Sequence, residues 1–159
     1  MNRRTLIGSG IAAALLAVAG LSYEIQPESD SVILRSIARV MLAGALPTDP
    51  TEHERALDEV VRGFDVAVAG LPPSVQREIA QLFTLLRVGP ARMLAAGVMH
   101  PWHLASSGEI ERFLNGWQFN RIAKLRSAYE ALHALVFAAW YATSASWGRI
   151  GYPGPPKVS

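Results

Sequence analysis

The chain has 159 residues, half of which are apolar, and a formal net charge of +2. That length is typical of a single domain, and this apolar content is enough to bury a core. The sequence contains no cysteine, which excludes disulfides, c-type haem attachment, cysteine-ligated iron–sulfur clusters and a thiol nucleophile. It also lacks lysine and arginine runs and basic residues that alternate with aromatics, so we expect no nucleic-acid partner.

Residues 1–19 have the pattern of an export signal. Two adjacent arginines precede an apolar stretch of 11 residues, 6–16, and small residues at alternate positions close the segment. Because a helix needs about 20 apolar residues to span a bilayer, we predict a removable signal rather than an anchor. The arginine pair and the leucine two places after it resemble the twin-arginine export signal, with a general secretory signal as the alternative. We therefore expect a periplasmic protein. The residues that carry this prediction are Arg3, Arg4, Leu6, Ala17 and Ala19.

Charge is unevenly distributed in the part that follows the signal. Residues 20–78 contain 5 basic and 10 acidic side chains, whereas residues 79–159 contain 8 basic and 3 acidic ones. The two halves can attract each other within one fold, or they can attract a partner of complementary charge. Solvated surfaces are the simpler interpretation.

The sequence divides into a linker, residues 20–29, and a helical domain, residues 30–146. Apolar residues recur at helical spacing through this domain, and residues 91–99 are expected to form a short fourth helix. No stretch has the sustained alternation that a half-buried strand requires. We therefore predict an all-α fold, a small bundle of about five or six helices joined by short loops.

Capping signals mark where several of these helices begin. Asp30 or Ser31 is expected to cap the first helix. Asp49, followed by a proline at the first helical position, is expected to cap the second. Ser106 and Glu109 have the spacing of a capping box, which predicts a further helix start.

The last helix is predicted over about 118–144. Its first half has a charged side and an apolar side, but residues 134–142 are apolar all round. A helix of that kind has to be covered on every side. Burial in the centre of the bundle is the simpler explanation, and cover by another protein is the alternative.

The C-terminal residues 147–159 are predicted to form an extended tail. Three prolines and three glycines between residues 147 and 156 argue against a helix, and an extended path loses little entropy on docking. The tail can fold back on its own bundle or dock on a partner, and tryptophan and tyrosine are the side chains that anchor interfaces. The predicted partner-binding residues are Trp140, Tyr141, Trp147, Tyr152, Pro153, Gly154, Pro155 and Pro156.

Two histidines, His100 and His103, are the candidates for a metal site. No carboxylate or thiol ligand stands beside them in the sequence, so we do not expect a zinc site. The sequence also lacks the serine nucleophile elbow and the phosphate-binding loop. We therefore predict no catalytic residue, no metal and no cofactor of its own for this chain.

The leader, the cysteine-free helical body and the terminal aromatic helix that runs into residues 151–156 together resemble a family of small subunits. These are the small subunits of bacterial membrane-associated flavin dehydrogenases, which include the gluconate 2-dehydrogenase subunit 3 type and the gamma subunits of glucose and fructose dehydrogenases. The likeness rests on residues 1–19 and about 117–156.

This resemblance implies that the chain is an escort rather than an enzyme. In that family the small subunit binds a GMC-type flavin-dependent catalytic subunit, which has no signal of its own, and takes it through the twin-arginine machinery. FAD is then expected in the partner, and a membrane cytochrome subunit can join the complex. Two alternatives remain, namely a helical scaffold anchored by an uncleaved leader and a stand-alone periplasmic enzyme with a metal on His100 and His103.

Overall fold

The computed structural model describes residues 28–150, and the side chains of residues 28–147. Two groups of predicted functional residues lie outside this range. They are the signal residues Arg3, Arg4, Leu6, Ala17 and Ala19 and the tail residues Tyr152, Pro153, Gly154, Pro155 and Pro156.

The described residues form seven helices and no strand, which confirms the predicted all-α fold. There are more helices than the five or six expected, because a short helix follows the one predicted to be last. The helices are α1 (Asp30–Met41), α2 (Pro50–Ala69), α3 (Pro73–Arg87), α4 (Gly89–Ala96), α5 (Ser107–Gln118), α6 (Ala123–Tyr141) and α7 (Ser144–Ile150).

The helix starts predicted at Asp49 and Ser106 are confirmed. The Asp49 carboxylate accepts a hydrogen bond from the amide three residues later at 2.9 Å, and the capping box that begins at Ser106 is complete. The cap predicted for the first helix is wrong. Ser29, rather than Asp30 or Ser31, precedes α1, and its side chain makes no capping hydrogen bond.

The helix predicted over about 118–144 is observed as α6, but it begins only at Ala123, after a turn at residues 119–122 that separates it from α5. Asn120 explains this later start. Its amide donates to the Trp117 carbonyl at 3.2 Å, and its side-chain oxygen accepts a hydrogen bond from the Ile122 amide at 2.9 Å. A side chain that bonds the backbone two residues later competes with helical hydrogen bonding and favours a turn.

Trp147 lies in a helix, so the prediction of an extended path is wrong for residues 147–150. The Thr143 hydroxyl explains this start, because it accepts a hydrogen bond from the Ser146 amide at 3.3 Å, as a helix-capping side chain does. The Ser146 hydroxyl in turn donates to the Thr143 carbonyl at 2.8 Å. The remainder of the predicted tail, residues 151–159, lies outside the described residues.

α6 is fixed in the bundle by close packing against α2 at Gly63 and Ala139. A Cβ atom added at Gly63 would lie 3.2 Å from the Ala139 Cβ, so the missing side chain allows the two helices to approach. The side of α6 that bears Ala139 belongs to the core, and the core is completed by apolar side chains of α1, α2, α3 and α5.

A second part of the core holds the loop between α4 and α5. Trp102 from this loop contacts Phe113 edge-to-face, with ring centroids 5.7 Å apart, and Phe113 contacts Trp117 at 4.7 Å. The buried Trp102 indole also donates to the Leu86 carbonyl at 2.9 Å. Aromatic pairs of this geometry stabilise a fold beyond the area they bury, so this loop is firmly packed.

Between residues 28 and 150, none of the helices combines the length and the apolar character that crossing a bilayer requires.

Candidate partner-binding surface

α6 has one buried side and one exposed side. Leu132, Val136 and Ala139 are buried, whereas Ala134 and Ala138 are exposed. The expectation that residues 134–142 are buried centrally is therefore wrong for the outer side, because α2 and α5 are the helices that chiefly pack against α6. An apolar helix is left partly uncovered within the described chain.

Four aromatic side chains lie along one flank of α6 and form a continuous row, which we call the aromatic ladder. It consists of Tyr129, His133, Phe137 and Tyr141, spaced four residues apart as helical neighbours are. Successive ring centroids are 5.8, 4.4 and 6.3 Å apart. The closest pair, His133 and Phe137, is stacked with an interplanar angle of 27°. The four side chains therefore present one connected surface.

The ladder is accessible to a binding partner. Tyr141 is 55% exposed, His133 is exposed, and Tyr129 and Phe137 are half-buried. Aromatic rings supply a large contact area at a low entropic cost, and tyrosine adds a hydroxyl that can form hydrogen bonds. Such a row can bind prolines, aromatic rings or aliphatic side chains of another segment.

α7 folds against the C-terminal end of the ladder. The Trp147 indole donates to the Tyr141 carbonyl at 3.0 Å, and the Thr143 hydroxyl donates to the Trp140 carbonyl at 2.7 Å. Trp147 itself is half-buried. The hydrogen bond to its carbonyl places Trp147 of α7 near the Tyr141 end of the ladder.

The predicted partner-binding residues have different positions in the structure. Tyr141 and Trp147 are at the surface, as a contact with another molecule requires. Trp140 is 4% exposed, so its ring packs in the core of its own chain, and we assign it to the core instead. Tyr129, His133 and Phe137 are not among the predicted residues, although their spacing of four is visible in the sequence.

The loop with the two histidines differs from the expectation in one respect, because each imidazole has a carboxylate beside it. His100 Nδ1 lies 2.9 Å from Glu109 Oε2, and His103 Nδ1 lies 2.7 Å from Glu28 Oε1. Ionised carboxylates only accept hydrogen bonds, so each ring nitrogen donates. Glu28 is 75 positions from His103, and no local sequence pattern could have predicted that pair.

Glu28 is held by several donors at once. Its carboxylate accepts hydrogen bonds from the Trp102 amide at 2.9 Å and from His103, and it pairs with Arg92 at 3.1 Å. Burial by itself raises the pKa of Glu28, but these hydrogen bonds and the nearby Arg92 charge outweigh it and lower the pKa below its ordinary value.

Glu109 fastens the other end of the same loop. It accepts hydrogen bonds from the Met99 amide at 3.0 Å and from the Ser106 amide at 3.3 Å, in addition to His100. Burial raises the pKa of Glu109, but the hydrogen bonds from His100 and the backbone lower it to about 2. The carboxylate is therefore ionised at any physiological pH.

These two carboxylates fasten a loop to the bundle. Each has its acceptor positions occupied by one imidazole and by backbone amides, and the described residues contain no group of three or more histidine, aspartate or glutamate side chains placed to hold a metal ion. The contacts of His100 with Glu109 and of His103 with Glu28 have a structural role, because they hold the α4–α5 loop in place.

Two surface cavities lie away from the ladder. One of about 470 Å³ lies between the start of α2 and α7 and is lined by Glu52, Arg55 and Ser144, among others. The other, of about 280 Å³, lies between α1, α2 and α3 beside Phe64 and Phe83. Neither cavity is lined by a histidine, so neither offers an imidazole for metal binding or acid–base catalysis. The ladder is therefore the stronger candidate for a binding surface.

Comparison of the chain with models of protein families, with curated proteins and with solved structures gives no match. The function is therefore inferred from the residues and contacts of the chain itself.

Proposed function

We propose that the chain is a non-catalytic small subunit that binds a folded FAD-dependent dehydrogenase and escorts it to the periplasm through twin-arginine export. The observation that carries this proposal is the exposed aromatic ladder on α6, with Trp147 near its Tyr141 end. FAD belongs to the partner in this proposal, and the chain supplies the export signal and the binding surface.

The composition of the ladder favours a protein partner. Tyrosine and tryptophan dominate the binding energy of protein interfaces, and phenylalanine is enriched there. Tyr141 is exposed and Trp147 is half-buried at the same end of α6, which leaves both rings able to lose further surface on binding. Association of such a surface with a partner is stabilised because the ring faces, which are largely apolar, are removed from water.

The leader provides the second line of support. Arg3 and Arg4 begin a segment that resembles a twin-arginine signal, and that route moves cargo that is already folded, usually because a cofactor has to be inserted first. The sequence of this chain contains no recognised cofactor motif. The folded cargo that needs such a route is then a bound partner.

The proposed partner surface combines the ladder with the aromatic and proline residues that follow it. Tyr141 and Trp147 form the described part, and residues 152–156 form the part known from sequence alone. A membrane cytochrome subunit would join through the dehydrogenase rather than through this surface. The subunit can remain in the complex after export or act during its assembly.

The proposal is tested by purifying the tagged chain from the periplasm of its native host and measuring bound flavin by visible absorbance. We expect flavin in stoichiometric amount with the wild-type chain and a loss of most of it with the double variant Phe137→Ala/Tyr141→Ala. Val66→Ala and Leu94→Ala are matched controls, because these apolar side chains are 74% and 75% exposed but lie on other helices. A wild-type chain that emerges as a monomer without flavoprotein would overturn the proposal.

A further inference from the structure

The described part of the chain ends close to the aromatic ladder. α7 ends at Ile150, which is three residues, or about 4.5 Å of helix, beyond Trp147. The Trp147 indole is bonded to the Tyr141 carbonyl, so α7 starts the last segment near the Tyr141 end of the ladder.

The length of this last segment matches the length of the ladder. Tyr129 and Tyr141 lie 12 positions apart, which corresponds to about 18 Å along an α-helix. The nine residues 151–159 reach about 28 Å in a polyproline conformation. The segment is therefore long enough to run back along the whole ladder.

The chemistry of the segment also suits this surface. It contains Tyr152 and three prolines, Pro153, Pro155 and Pro156. Proline-rich segments dock in grooves lined by aromatic side chains, and their preformed conformation reduces the entropy lost on binding. Because the segment is connected directly to α7, its effective concentration at the ladder is in the millimolar range or above, so even a weak contact is populated.

Charge complementarity favours one direction for a segment that would dock on the ladder. Lys157 is the one charged side chain in residues 151–159, and Glu130 is the one acidic residue of α6. Glu130 is exposed and lies beside Tyr129, at the far end of the ladder. A segment that starts at Ile150 and runs antiparallel to α6 brings Lys157 about 22 Å along, to this end.

We infer that residues 151–159 dock on the aromatic ladder of the same chain, antiparallel to α6, with the prolines over the rings and Lys157 beside Glu130. The contact is a property of the free chain and holds whether or not the proposed escort function is correct. If the chain acts as the proposed escort, binding of the dehydrogenase would replace this internal contact with a contact to the partner. The ladder would then be covered both in the free chain and in the complex.

The absence of cysteine makes a direct test possible, because one cysteine introduced into the full chain can carry a single spin label. The variant Ser159→Cys, isotopically labelled and spin-labelled, is compared by NMR with the same sample after reduction of the label. We expect the amide signals of Tyr129 and His133 to lose most of their intensity while the label is active. Unchanged signals throughout α6 would overturn the inference.

A mixed sample separates the same chain from a second copy. Isotopically labelled chain without spin label is combined with spin-labelled chain of natural isotopic composition, and we expect no broadening of α6 signals in this sample. Broadening that appears in the mixture as strongly as in the doubly labelled chain would mean that the segment docks on a neighbouring molecule, and it would contradict the inference.

Surface variants test the register without endangering the fold. Glu130→Lys should lower the ratio of docked to free segment about two- to fivefold, the range expected when an exposed ion pair is lost. Glu111→Lys, an equally exposed acidic position on α5, is the matched control and should leave the broadening unchanged. Equal effects of the two variants would exclude a contact between Lys157 and Glu130.

Discussion

Glu28 and Trp102 are joined by a hydrogen bond of 2.9 Å from the Trp102 amide to the Glu28 carboxylate, although 74 positions separate them. Trp102 is buried, and its carbonyl accepts a hydrogen bond from Ser36 at 3.0 Å. Glu28 is also the point at which the predicted linker meets the bundle. The α4–α5 loop, which packs in the core, is therefore joined to the residues just before α1.

Glu28→Gln should destabilise the fold by about 3–5 kcal/mol, because it leaves the Arg92 charge without its counter-ion. Arg92 is 7% exposed, so water cannot easily compensate. Urea unfolding followed by tryptophan fluorescence measures the change. Arg39→Gln is the control, since its pair with Glu54 is exposed on both sides, and it should cost less than about 1 kcal/mol. An equal decrease in the free energy of unfolding in the two variants would contradict the view that the buried pair of Glu28 and Arg92 stabilises the fold.

Glu109 should make the fold sensitive to acid below about pH 4.5. Its pKa is about 2 in the folded chain against an ordinary value of 4.5, so the unfolded chain binds the proton more readily. The stabilisation is fully present above pH 4.5 and is lost as the pH falls towards 2, with a magnitude of about 3 kcal/mol.

Glu109→Gln should therefore flatten the dependence of the free energy of unfolding on pH between 4.5 and 2, apart from the shares that Glu28 and Glu54 contribute. Glu111→Gln removes the same charge from an exposed position two residues away and should retain the wild-type slope. Parallel curves for wild type and Glu109→Gln would show that the hydrogen bonds of Glu109 do not stabilise its ionised form.

Gly63→Ala and Gly116→Ala should change stability in opposite directions. Alanine is a better helix former than glycine by about 1 kcal/mol, and a Cβ at Gly116 meets no atom within 4 Å, so Gly116→Ala should stabilise α5. A Cβ at Gly63 would lie 3.2 Å from the Ala139 Cβ and 3.3 Å from its Cα, which forces α2 and α6 apart. We expect Gly63→Ala to lower stability by about 1–2 kcal/mol. Thermal unfolding measures both, and stabilisation by both would refute the close approach.

The two sides of α6 should respond differently to truncation. Leu132 is fully buried, and Leu132→Ala should destabilise the fold by about 2–5 kcal/mol. Tyr141 is 55% exposed, so Tyr141→Ala should cost no more than about 1.5 kcal/mol, the value of an aromatic contact. Chemical denaturation of both variants checks this, and a core-sized loss for Tyr141→Ala would show that the ladder is structural.

Local features of the fold could be predicted from the sequence. The capping signals at Asp49 and Ser106 report interactions within three residues, and both predicted helix starts are observed. α6 starts later than predicted, because the Asn120 side chain bonds the Ile122 amide and forms a turn that the apolar spacing does not report. Trp147 was assigned to the extended tail because of the prolines that follow it. The first of these, Pro153, lies three positions after the end of α7 and therefore does not prevent the helix.

The site could be predicted only in part. Tyr141 and Trp147 were identified because of their residue type, and both lie at the surface. Trp140 is also a tryptophan, but its side chain is buried in the core. Which side of α6 faces the core depends on how α6 packs against the other helices, chiefly α2. The carboxylate that binds His103 comes from Glu28, at a separation that no local pattern reports. Burial and long-range pairing are tertiary properties, which explains why both were missed.

The central claim, that this chain carries a folded flavoprotein across the membrane, is tested most directly by changing the signal and following the partner. The native host is grown with the wild-type chain or with Arg3→Lys/Arg4→Lys, and flavin-dependent dehydrogenase activity is measured in the periplasmic and cytoplasmic fractions. We predict that the double variant retains the dehydrogenase activity in the cytoplasm while the wild type delivers it to the periplasm. The same periplasmic activity with both chains would contradict the account.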